Sequence, residues 1–208
     1  AVHCHMTAQD LRARVMQHLA KLPFALWENQ FNLFDSHDTP RFHNNPTITQ
    51  ADFKGAACFQ FLLTGAASIY YGDEAEIDGT IDANEGCRYP MPWSKDFREC
   101  EHYKLYHRLC GLKKEHPALR HGGMKFLYAK GDVFSIARFA GDDVIVGVIT
   151  KSDAHEAIRL PMGALGALEP EERKDMLGSA LRWQRAEENA ISLLVEPHSA
   201  YLFTCRMK

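Results

Sequence analysis

Residues 31–42 read FNLFDSHDTPRF, and this stretch decides how the rest of the chain is interpreted. A short apolar run, typical of a buried strand, stops at a polar cluster that contains Asp35, His37 and Asp38. Polar side chains just past the carboxyl end of a buried strand are typical of active sites in α/β barrels and doubly wound sheets. The same residue types before Pro40 are also ordinary in a turn, so this stretch alone leaves both interpretations open.

The segments around this stretch alternate between helix and strand. A helix is predicted over residues 7–22, and a second helix is predicted to begin at Thr49, which has Asp52 at the spacing of a capping box. A second apolar run, ASIYY at 67–71, is again followed by polar residues, and a third helix is predicted over 96–115. This order is typical of a parallel sheet whose strands are buried on both faces.

The pattern changes near residue 120. Segments rich in β-formers, such as VFSIARF (133–139) and VIVGVI (144–149), are separated by turn signals, which is typical of an antiparallel sandwich or barrel. Two strands and three helices cannot close a stable α/β domain, so the first part is expected to belong to a larger unit. The predicted fold class is α/β plus β, with an α/β segment over 1–120 and an antiparallel β-domain over 121–208.

The composition limits which partners and which cellular compartment are expected for this chain. The formal net charge is −3 and no Lys/Arg-rich run occurs, so neither a nucleic-acid nor a membrane partner is expected. Six cysteines without a C-x-x-C pair favour reduced thiols and a cytoplasmic protein, although their even number leaves disulfides open. His3, Cys4 and His5 do not have the spacing of a structural zinc site, so no metal and no cofactor are predicted.

The adjacent pair His37 and Asp38 is suited to three kinds of chemistry. A carboxylate beside an imidazole can hydrogen-bond vicinal hydroxyls, or it can act as an acid–base pair. It can also be the Asp–His part of a nucleophilic triad. The triad has the least support, because the chain lacks a G-x-S-x-G elbow.

Three stretches in order carry a more specific resemblance: FNLFDSHDTPRF, GAASIYYGDE (65–74) and CRYPMPW (87–93). Together they resemble the α-amylase family of glycoside hydrolases, glycoside hydrolase family 13, and within it the neopullulanase and cyclomaltodextrinase branch. The first is similar to the family's fourth conserved region after barrel strand seven, the second to strand eight, and the third to a substrate loop. The resemblance implies the last part of a (β/α)8 TIM barrel, from helix six through helix eight, followed by an antiparallel β-sandwich.

The resemblance also implies roles for five residues. Asp38 would be the third carboxylate, a transition-state stabiliser that hydrogen-bonds the 2- and 3-hydroxyls of the sugar at the cleavage site. His37 and Arg88 would bind the substrate. Asn84, where the family often has Asp, and Arg41, which could also brace the loop, are assigned to substrate binding as well.

The catalytic pair itself is not found. The family's nucleophile is an Asp two residues after an Arg, and its acid is a Glu; both precede the region that this chain resembles. Arg173 and Asp175 have that spacing but lie in a charged run that is predicted to be a solvated face, and Glu28 is too close to Asp38. The chain by itself is therefore expected to be inactive.

The predicted function is thus part of a retaining α-glucan hydrolase that cleaves α-1,4 bonds, with α-1,6 bonds as a further option, in starch-type oligosaccharides or cyclodextrins. The expected partners are an α-glucan oligosaccharide and either the missing N-terminal barrel portion or another copy of the chain. Calcium is common in the family but is bound mostly by parts that this chain does not contain. The alternative is a non-catalytic carbohydrate-binding or structural module, with Tyr70, Tyr71 and Trp93 as candidates for stacking on sugar rings.

Overall fold

The computed structural model describes residues 6–80, 86–166, 168–169, 175–179, 182–187 and 189–207. The helices in these ranges are α1 (Ala8–Leu19), α2 (Gln50–Leu62), α3 (Glu101–Glu115) and α4 (Pro117–His121), with 3₁₀ turns at Phe24–Asn29, Phe42–Asn44 and Asp73–Ala75. The strands are β1 (Phe31–Asn32), β2 (Ala66–Ala67), β3 (Gly123–Lys130), β4 (Val133–Ala140), β5 (Asp143–Thr150), β6 (Glu156–Leu160), β7 (Leu168–Glu169), β8 (Arg182–Glu187), β9 (Ala190–Val195) and β10 (Ser199–Met207). No helix among the described residues has both the length and the apolar character needed to cross a bilayer.

Helices α1 and α2 begin where the sequence predicts, at capping boxes. The Thr49 hydroxyl accepts from the Asp52 N–H at 3.1 Å, and the Asp52 carboxylate accepts from the Thr49 N–H at 3.0 Å. Helix α3 begins at Glu101, so the prediction of a helix from residue 96 starts too early. The Asp96 carboxylate accepts from the Arg98 N–H at 3.1 Å, a local turn that competes with helical bonding.

Strands β1 and β2 pair in parallel, with Phe31 opposite Ala66 and Asn32 opposite Ala67. Both are much shorter than the predicted apolar runs, and the expectation of burial on both faces is wrong here, because Phe31 is 68% and Leu33 48% exposed. In the described part of the chain β1 has a neighbouring strand on one edge only. The two strands nevertheless place the loops that follow them side by side.

The second half of the chain forms two antiparallel sheets, as predicted. Among the described residues the strand orders are β3-β4-β5-β10-β7 and β6-β9-β8. Strand β3 was not among the predicted segments, because a register shift between Phe126 and Tyr128 interrupts its alternation of side chains. One hydrophobic cluster lies between the two sheets and contains Val146, Leu193 and Phe203.

A second hydrophobic cluster joins the sheets to the helices. It contains Phe61 of α2 and Leu109 of α3 together with Ile145 of β5 and Leu202 of β10. Successive residues of β5 point to opposite faces, which explains why VIVGVI is buried throughout: each face contributes to a different cluster. The predicted boundary near residue 120 stays a prediction, but the two sides of it share one core.

A buried arginine and a half-buried lysine hold the carboxyl end of α2 against its neighbours. Arg138 of β4 is fully buried and donates to the carbonyls of Leu62 and Leu63 at 3.1 and 2.8 Å. Lys113 of α3 donates to the Gly65 carbonyl at 2.8 Å. Cations at this end of a helix also compensate its dipole. Burial lowers the pKa of Arg138 to about 10 and that of Lys113 to about 8.

The amino end of α2 is held by a histidine. The two ring nitrogens of His198 lie 2.9 Å from a carboxylate oxygen of Asp52 and 2.8 Å from one of Asp153. Hydrogen bonding to Asp52, and then to Asp153, raises the pKa of His198. Helix α2 is therefore attached to the sandwich at both of its ends.

Two glycines, Gly147 of β5 and Gly111 of α3, differ in the space that a side chain would have. A Cβ at Gly147 would lie 2.2 Å from Leu62 Cδ1 and 3.1 Å from Leu202 Cδ2, and both leucines are buried. Gly147→Ala is expected to lower the free energy of unfolding by about 1–3 kcal/mol, the usual cost of overpacking. A Cβ at Gly111 of α3 meets only Glu115 at 3.8 Å, so Gly111→Ala is expected to raise it by about 0.5–1 kcal/mol. Urea unfolding of both variants checks the opposite signs; equal effects would contradict the packing argument.

Candidate functional site

The loop that follows β1 is a tight turn built from its own polar side chains. The Ser36 hydroxyl accepts from the Asp38 N–H at 3.2 Å, and the Thr39 hydroxyl accepts from the Ser36 N–H at 2.9 Å. Short hydroxyl and carboxyl side chains favour such turns because they replace backbone partners. The turn leaves the side chains of His37 and Asp38 directed toward solvent, where Asp38 is 68% exposed.

A three-residue polar cluster of His37, Asp38 and Arg88 lies on this turn. One oxygen of the Asp38 carboxylate accepts from Arg88 Nη2 at 2.9 Å, and its other oxygen lies 3.0 Å from His37 Nε2. Arg88 comes from a loop fifty positions further along the chain, beyond β2. Exposed ion pairs of this kind contribute at most about 1 kcal/mol to stability, so the fold does not depend on the cluster. Three predicted site residues are thus brought together on an open surface.

Arg41, which is also predicted to bind the substrate, does not reach this surface. Its side chain has no exposed area and donates to the Asp73 carboxylate at 2.8 Å and to the carbonyls of Tyr71 and Cys87 at 2.6 and 3.4 Å. Its guanidinium also lies 4.2 Å from the centre of the Tyr70 ring. Arg41 therefore links its own loop to the loop after β2 and to the loop of Cys87, because its two terminal nitrogens donate to acceptors in both.

Of the three aromatic candidates, Tyr70 and Tyr71 link neighbouring loops, whereas Trp93 is exposed. The Tyr70 hydroxyl donates to the Cys87 carbonyl at 3.1 Å and the Tyr71 hydroxyl to the Tyr89 carbonyl at 3.0 Å, which ties the loop after β2 to the loop of Arg88. Trp93 is 78% exposed, and its ring is 6.2 Å from that of Phe97. Of the three, Trp93 has the most surface available for a ligand.

Two buried acids beneath the cluster were missed by the sequence analysis. Asp35 and Asp73 are each only 4% exposed. Asp35 accepts from the Phe42 N–H at 2.7 Å, and Asp73 pairs with Arg41. Burial, and then the neighbouring Asp35, raises the pKa of Asp73 to about 8 although Arg41 acts to lower it. Each acid follows one of the two apolar runs, but no local pattern distinguishes a buried acid from a solvated one.

The remaining predicted positions give three further outcomes. Asn84 lies outside the described residues, as do His3, Cys4 and His5. Asp175 is buried and accepts from the N–H groups of Ser179 and Leu202 at 2.6 and 2.8 Å, so the prediction of a solvated face is wrong for it. Glu28 lies 3.5 Å from the His121 ring. None of these contacts brings Glu28 or Asp175 to Asp38.

Among the described residues, no group of acids, histidines and cysteines could hold a metal ion, and five cysteines are free thiols.

Two clefts in the described part of the chain lie away from the cluster. One of about 370 Å³ is lined by residues of α2 and α3, including Phe53, Lys54 and Leu105. The other, of about 460 Å³, lies between α2 and the sandwich beside His198 and Tyr201. The cluster at Asp38 is exposed, since 56% of the His37 side chain and 68% of the Asp38 side chain are accessible.

Comparisons with known proteins show what the chain is similar to. The family described as "Alpha amylase, catalytic domain" matches residues 1–96. The chain is 35% identical to a cyclomaltodextrinase of Bacillus sp. over 169 residues, which cover 78% of this chain and 29% of that protein. It is 26% identical to neopullulanase 2 of Thermoactinomyces vulgaris, with coverage of 79% and 28%. The chain therefore spans less than a third of the length of these curated relatives.

A solved structure supports the fold. The debranching enzyme of Nostoc punctiforme superposes with a TM-score of 0.83 over 95% of this chain and 40% of that chain, at 23% identity. At this identity the likeness concerns the fold alone. It indicates that a partial barrel followed by a sheet domain is an arrangement that solved proteins contain.

Proposed function

We propose, from the match of residues 1–96 to the catalytic domain of the α-amylase family, that the chain is part of a retaining α-glucan hydrolase of that family. The bonds cleaved are α-1,4-glucosidic bonds, with α-1,6 bonds as a further option, in starch-type oligosaccharides or cyclodextrins. In this proposal residues 1–120 run from helix six through helix eight of the (β/α)8 barrel, and residues 121–208 are the β-sandwich that follows it.

The observation that carries the proposal is the cluster of His37, Asp38 and Arg88. Two loops that follow neighbouring parallel strands deliver a carboxylate, an imidazole and a guanidinium to one open surface. Carboxylate and cationic donors at the carboxyl ends of parallel strands suit the recognition of a polyhydroxylated ligand. Because these contacts contribute little to stability, their arrangement is better explained by binding.

The cluster leaves room for a sugar on Asp38. A carboxylate has about four lone-pair sites, and Arg88 and His37 occupy one on each oxygen. The remaining sites can accept from two neighbouring hydroxyls of one ring. Bonds to the 2-hydroxyl strengthen as positive charge develops on the ring in the oxocarbenium-like transition state, so Asp38 would act as a stabiliser and not as nucleophile or acid.

Catalysis requires groups that this cluster does not supply. A retaining glycosidase uses two further carboxyl groups about 5–5.5 Å apart. Glu28 and Asp175 make contacts elsewhere. We therefore assign the nucleophile and the acid to an N-terminal barrel portion, which would also cover the exposed Phe31 and Leu33; another copy of the chain is the second option for that cover. No cofactor is proposed for these residues, calcium would belong to the intact enzyme, and the cytoplasm is the proposed compartment.

The experiment is an assay of the purified chain. Reducing-sugar release from cyclomaltodextrin, pullulan and soluble starch is expected to equal that of a blank without protein, because the catalytic pair is lacking. Intact mass measured on the same sample excludes a contaminating or degraded enzyme as the source of any signal. Clear release that Asp38→Asn abolishes would overturn the proposal, since the chain would then contain its own catalytic pair.

A non-catalytic carbohydrate-binding or structural module is the second candidate. The exposed Trp93, in the same loop as Arg88, favours it, because aromatic faces bind sugar rings. The two candidates differ upstream: an Arg-x-Asp and a Glu motif in the preceding sequence support the hydrolase. Glucan binding by the chain, without such motifs upstream, supports the module.

A further inference from the structure

The ring of His198 lies between two carboxyl groups that belong to different parts of the fold. Its Nδ1 is 2.9 Å from an oxygen of Asp52, in the first turn of α2, and its Nε2 is 2.8 Å from an oxygen of Asp153, in the loop after β5. The ring itself comes from the turn between β9 and β10. One imidazole therefore joins three segments that are far apart in the chain.

Two contacts of this kind require a positively charged ring. An ionised carboxylate only accepts hydrogen bonds, and a neutral imidazole has one N–H donor, whereas the imidazolium has two. The Asp153 side chain is 99% exposed, and a carboxylate in water is ionised at neutral pH. Asp52 also accepts from the N–H and the hydroxyl of Thr49, at 3.0 and 2.6 Å, and these bonds favour its ionised form. Both contacts are therefore made only when both ring nitrogens carry a proton.

The turn that carries His198 is held in an unusual conformation. Its φ is 45°, in the left-handed region that glycine adopts freely and other residues seldom adopt. The His198 N–H donates to the Ser152 carbonyl at 3.2 Å, and the Ser199 hydroxyl donates to the Glu196 carbonyl at 2.6 Å. Glycine would form this turn at less cost, so the contacts of the ring are what a histidine adds here.

We propose that the imidazolium of His198 is a pH-dependent latch, which holds the loop after β5 against the first turn of α2 and releases that loop when the ring loses a proton. The latch uses none of the residues of the cluster at Asp38. It goes beyond the proposed function and does not depend on it. Histidine suits such a role because its charge changes close to physiological pH.

The two contacts differ in how easily they are lost. The Asp52 side chain is 15% exposed, whereas that of Asp153 is 99% exposed. A neutral ring keeps one N–H, and this donor contributes more beside the less exposed carboxylate, where water replaces it poorly. The proton is therefore expected to stay on Nδ1, toward Asp52. The lone pair of Nε2 then faces Asp153, which turns toward water, and the loop after β5 loses its link to α2.

The neighbouring carboxylates favour the charged ring. Hydrogen bonding to Asp52, and then to Asp153, raises the pKa of His198, although burial acts in the opposite direction. Burial acts to raise the pKa of Asp52, but the hydrogen bonds from His198 and Thr49 together outweigh it and lower that pKa. The imidazolium and its carboxylates thus stabilise one another.

The cations near the ring have partners of their own. Lys54 Nζ donates to the Ser179 hydroxyl at 2.7 Å, and Arg182 Nε lies 2.9 Å from an oxygen of Glu196. Their charges therefore oppose the imidazolium only weakly. Besides the two aspartates, the charged or titratable groups on the segments that meet at the ring, or in the cleft beside it, are Lys54, Lys151, His155, Arg182 and Glu196.

The first test is an NMR titration of the chain from about pH 5 to about pH 9, the range in which histidines titrate. The midpoint of the His198 ring signals is expected to be higher in the folded chain than in the chain unfolded in urea. Asp153→Asn is expected to lower the folded midpoint, because it removes one of the two negative charges. Asp96→Asn is the matched control, since this exposed aspartate pairs with Arg98, and it should leave the midpoint unchanged.

The same spectra test the latch separately from the charge. Amide signals of residues 151–155 are expected to move with the midpoint of the ring, because the loop is released with the proton. A His198 midpoint no higher than that of the unfolded chain, or one that Asp153→Asn does not lower, would overturn the proposal. Amide signals that do not follow the ring would show that His198 is charged but holds nothing in place, which also overturns it.

Stability is the second readout. The pKa of His198 is raised on folding, so its contribution is fully present below the ordinary value of 6.5 and is lost as the pH rises through the folded value. His198→Asn removes this titration and keeps a side chain that tolerates the left-handed backbone. The difference in urea midpoint between the parent chain and His198→Asn is therefore expected to shrink from about pH 6 to about pH 9. A difference that does not change with pH would contradict the latch.

Two capping boxes provide a matched pair of variants. Asp52→Asn and Asp10→Asn each remove the carboxylate of a capping box, at α2 and at α1, so both are expected to lower the urea midpoint. Within the described residues Asp10 is hydrogen-bonded to Thr7, whereas Asp52 also contacts His198. Only the loss from Asp52→Asn is therefore expected to shrink as the pH rises. An equal pH dependence in the two variants would assign the effect to the caps and overturn the proposal.

Discussion

Arg138→Met is expected to lower the free energy of unfolding by about 3–5 kcal/mol, because each buried carbonyl that loses its donor costs about 1–3 kcal/mol. The fully buried guanidinium donates to four backbone carbonyls, those of Leu62, Leu63, Gly122 and Gly123, at 2.8–3.2 Å. Methionine fills much of the volume but donates nothing. The carbonyls at the end of α2 then lose their partners in a site that water does not reach.

The measurement is urea unfolding followed by circular dichroism, with the variant and the parent chain compared at one pH. Arg108→Met is the matched control, because exposed Arg108 makes one hydrogen bond within the described part of the chain, to the Met176 carbonyl at 3.0 Å, and should change the free energy by about 1 kcal/mol or less. Arg138→Lys should recover little, since an ammonium group cannot reach carbonyls on both sides of a guanidinium fork. A loss below about 1 kcal/mol for Arg138→Met would show that the helix end does not depend on it.

Arg138 also illustrates which parts of the fold can be predicted from the sequence. Local rules place the helix starts, because a capping box needs only Thr and Asp three positions apart, and they place the strands from their alternation. The burial of Arg138 inside VFSIARF depends on carbonyls contributed by α2, more than seventy positions earlier. No local pattern contains that information. The short β1 has the same explanation, since strand length depends on neighbouring strands.

Some residues of the candidate site can likewise be predicted from the sequence, and others cannot. The cluster of His37, Asp38 and Arg88 follows from motifs whose loops succeed adjacent strands, and the structure brings the three together. Arg41 was assigned to the substrate because it follows the His–Asp pair, but its side chain turns inward to Asp73. Tertiary contacts decide whether a side chain in a loop points inward or toward solvent. The buried pair of Asp35 and Asp73 was missed for the same reason, because a lone acid in a loop is ordinarily solvated.

Asp38→Asn is expected to lower kcat/KM about 10²–10⁴-fold in a polypeptide that joins these residues to the strands carrying the nucleophile and the acid. Such a loss corresponds to about 3–5 kcal/mol at 1.36 kcal/mol per tenfold change. The amide keeps one acceptor oxygen but loses the negative charge, so the bonds to the sugar hydroxyls no longer strengthen with the positive charge of the transition state. The loss should therefore be larger in kcat than in 1/KM.

Steady-state kinetics on cyclomaltodextrin separate this role from a structural one. Asp96→Asn is the matched control, because Asp96 is also an exposed aspartate that pairs with an arginine, Arg98, at 2.8 Å, and lies outside the cluster. It should leave kcat/KM unchanged, and both variants should unfold at the urea concentration of the parent, since exposed pairs contribute little. A change of less than about tenfold for Asp38→Asn would remove the stabiliser role, because a charge aimed at the transition state contributes more than that. An equal loss in both variants would instead assign the effect to the loop structure.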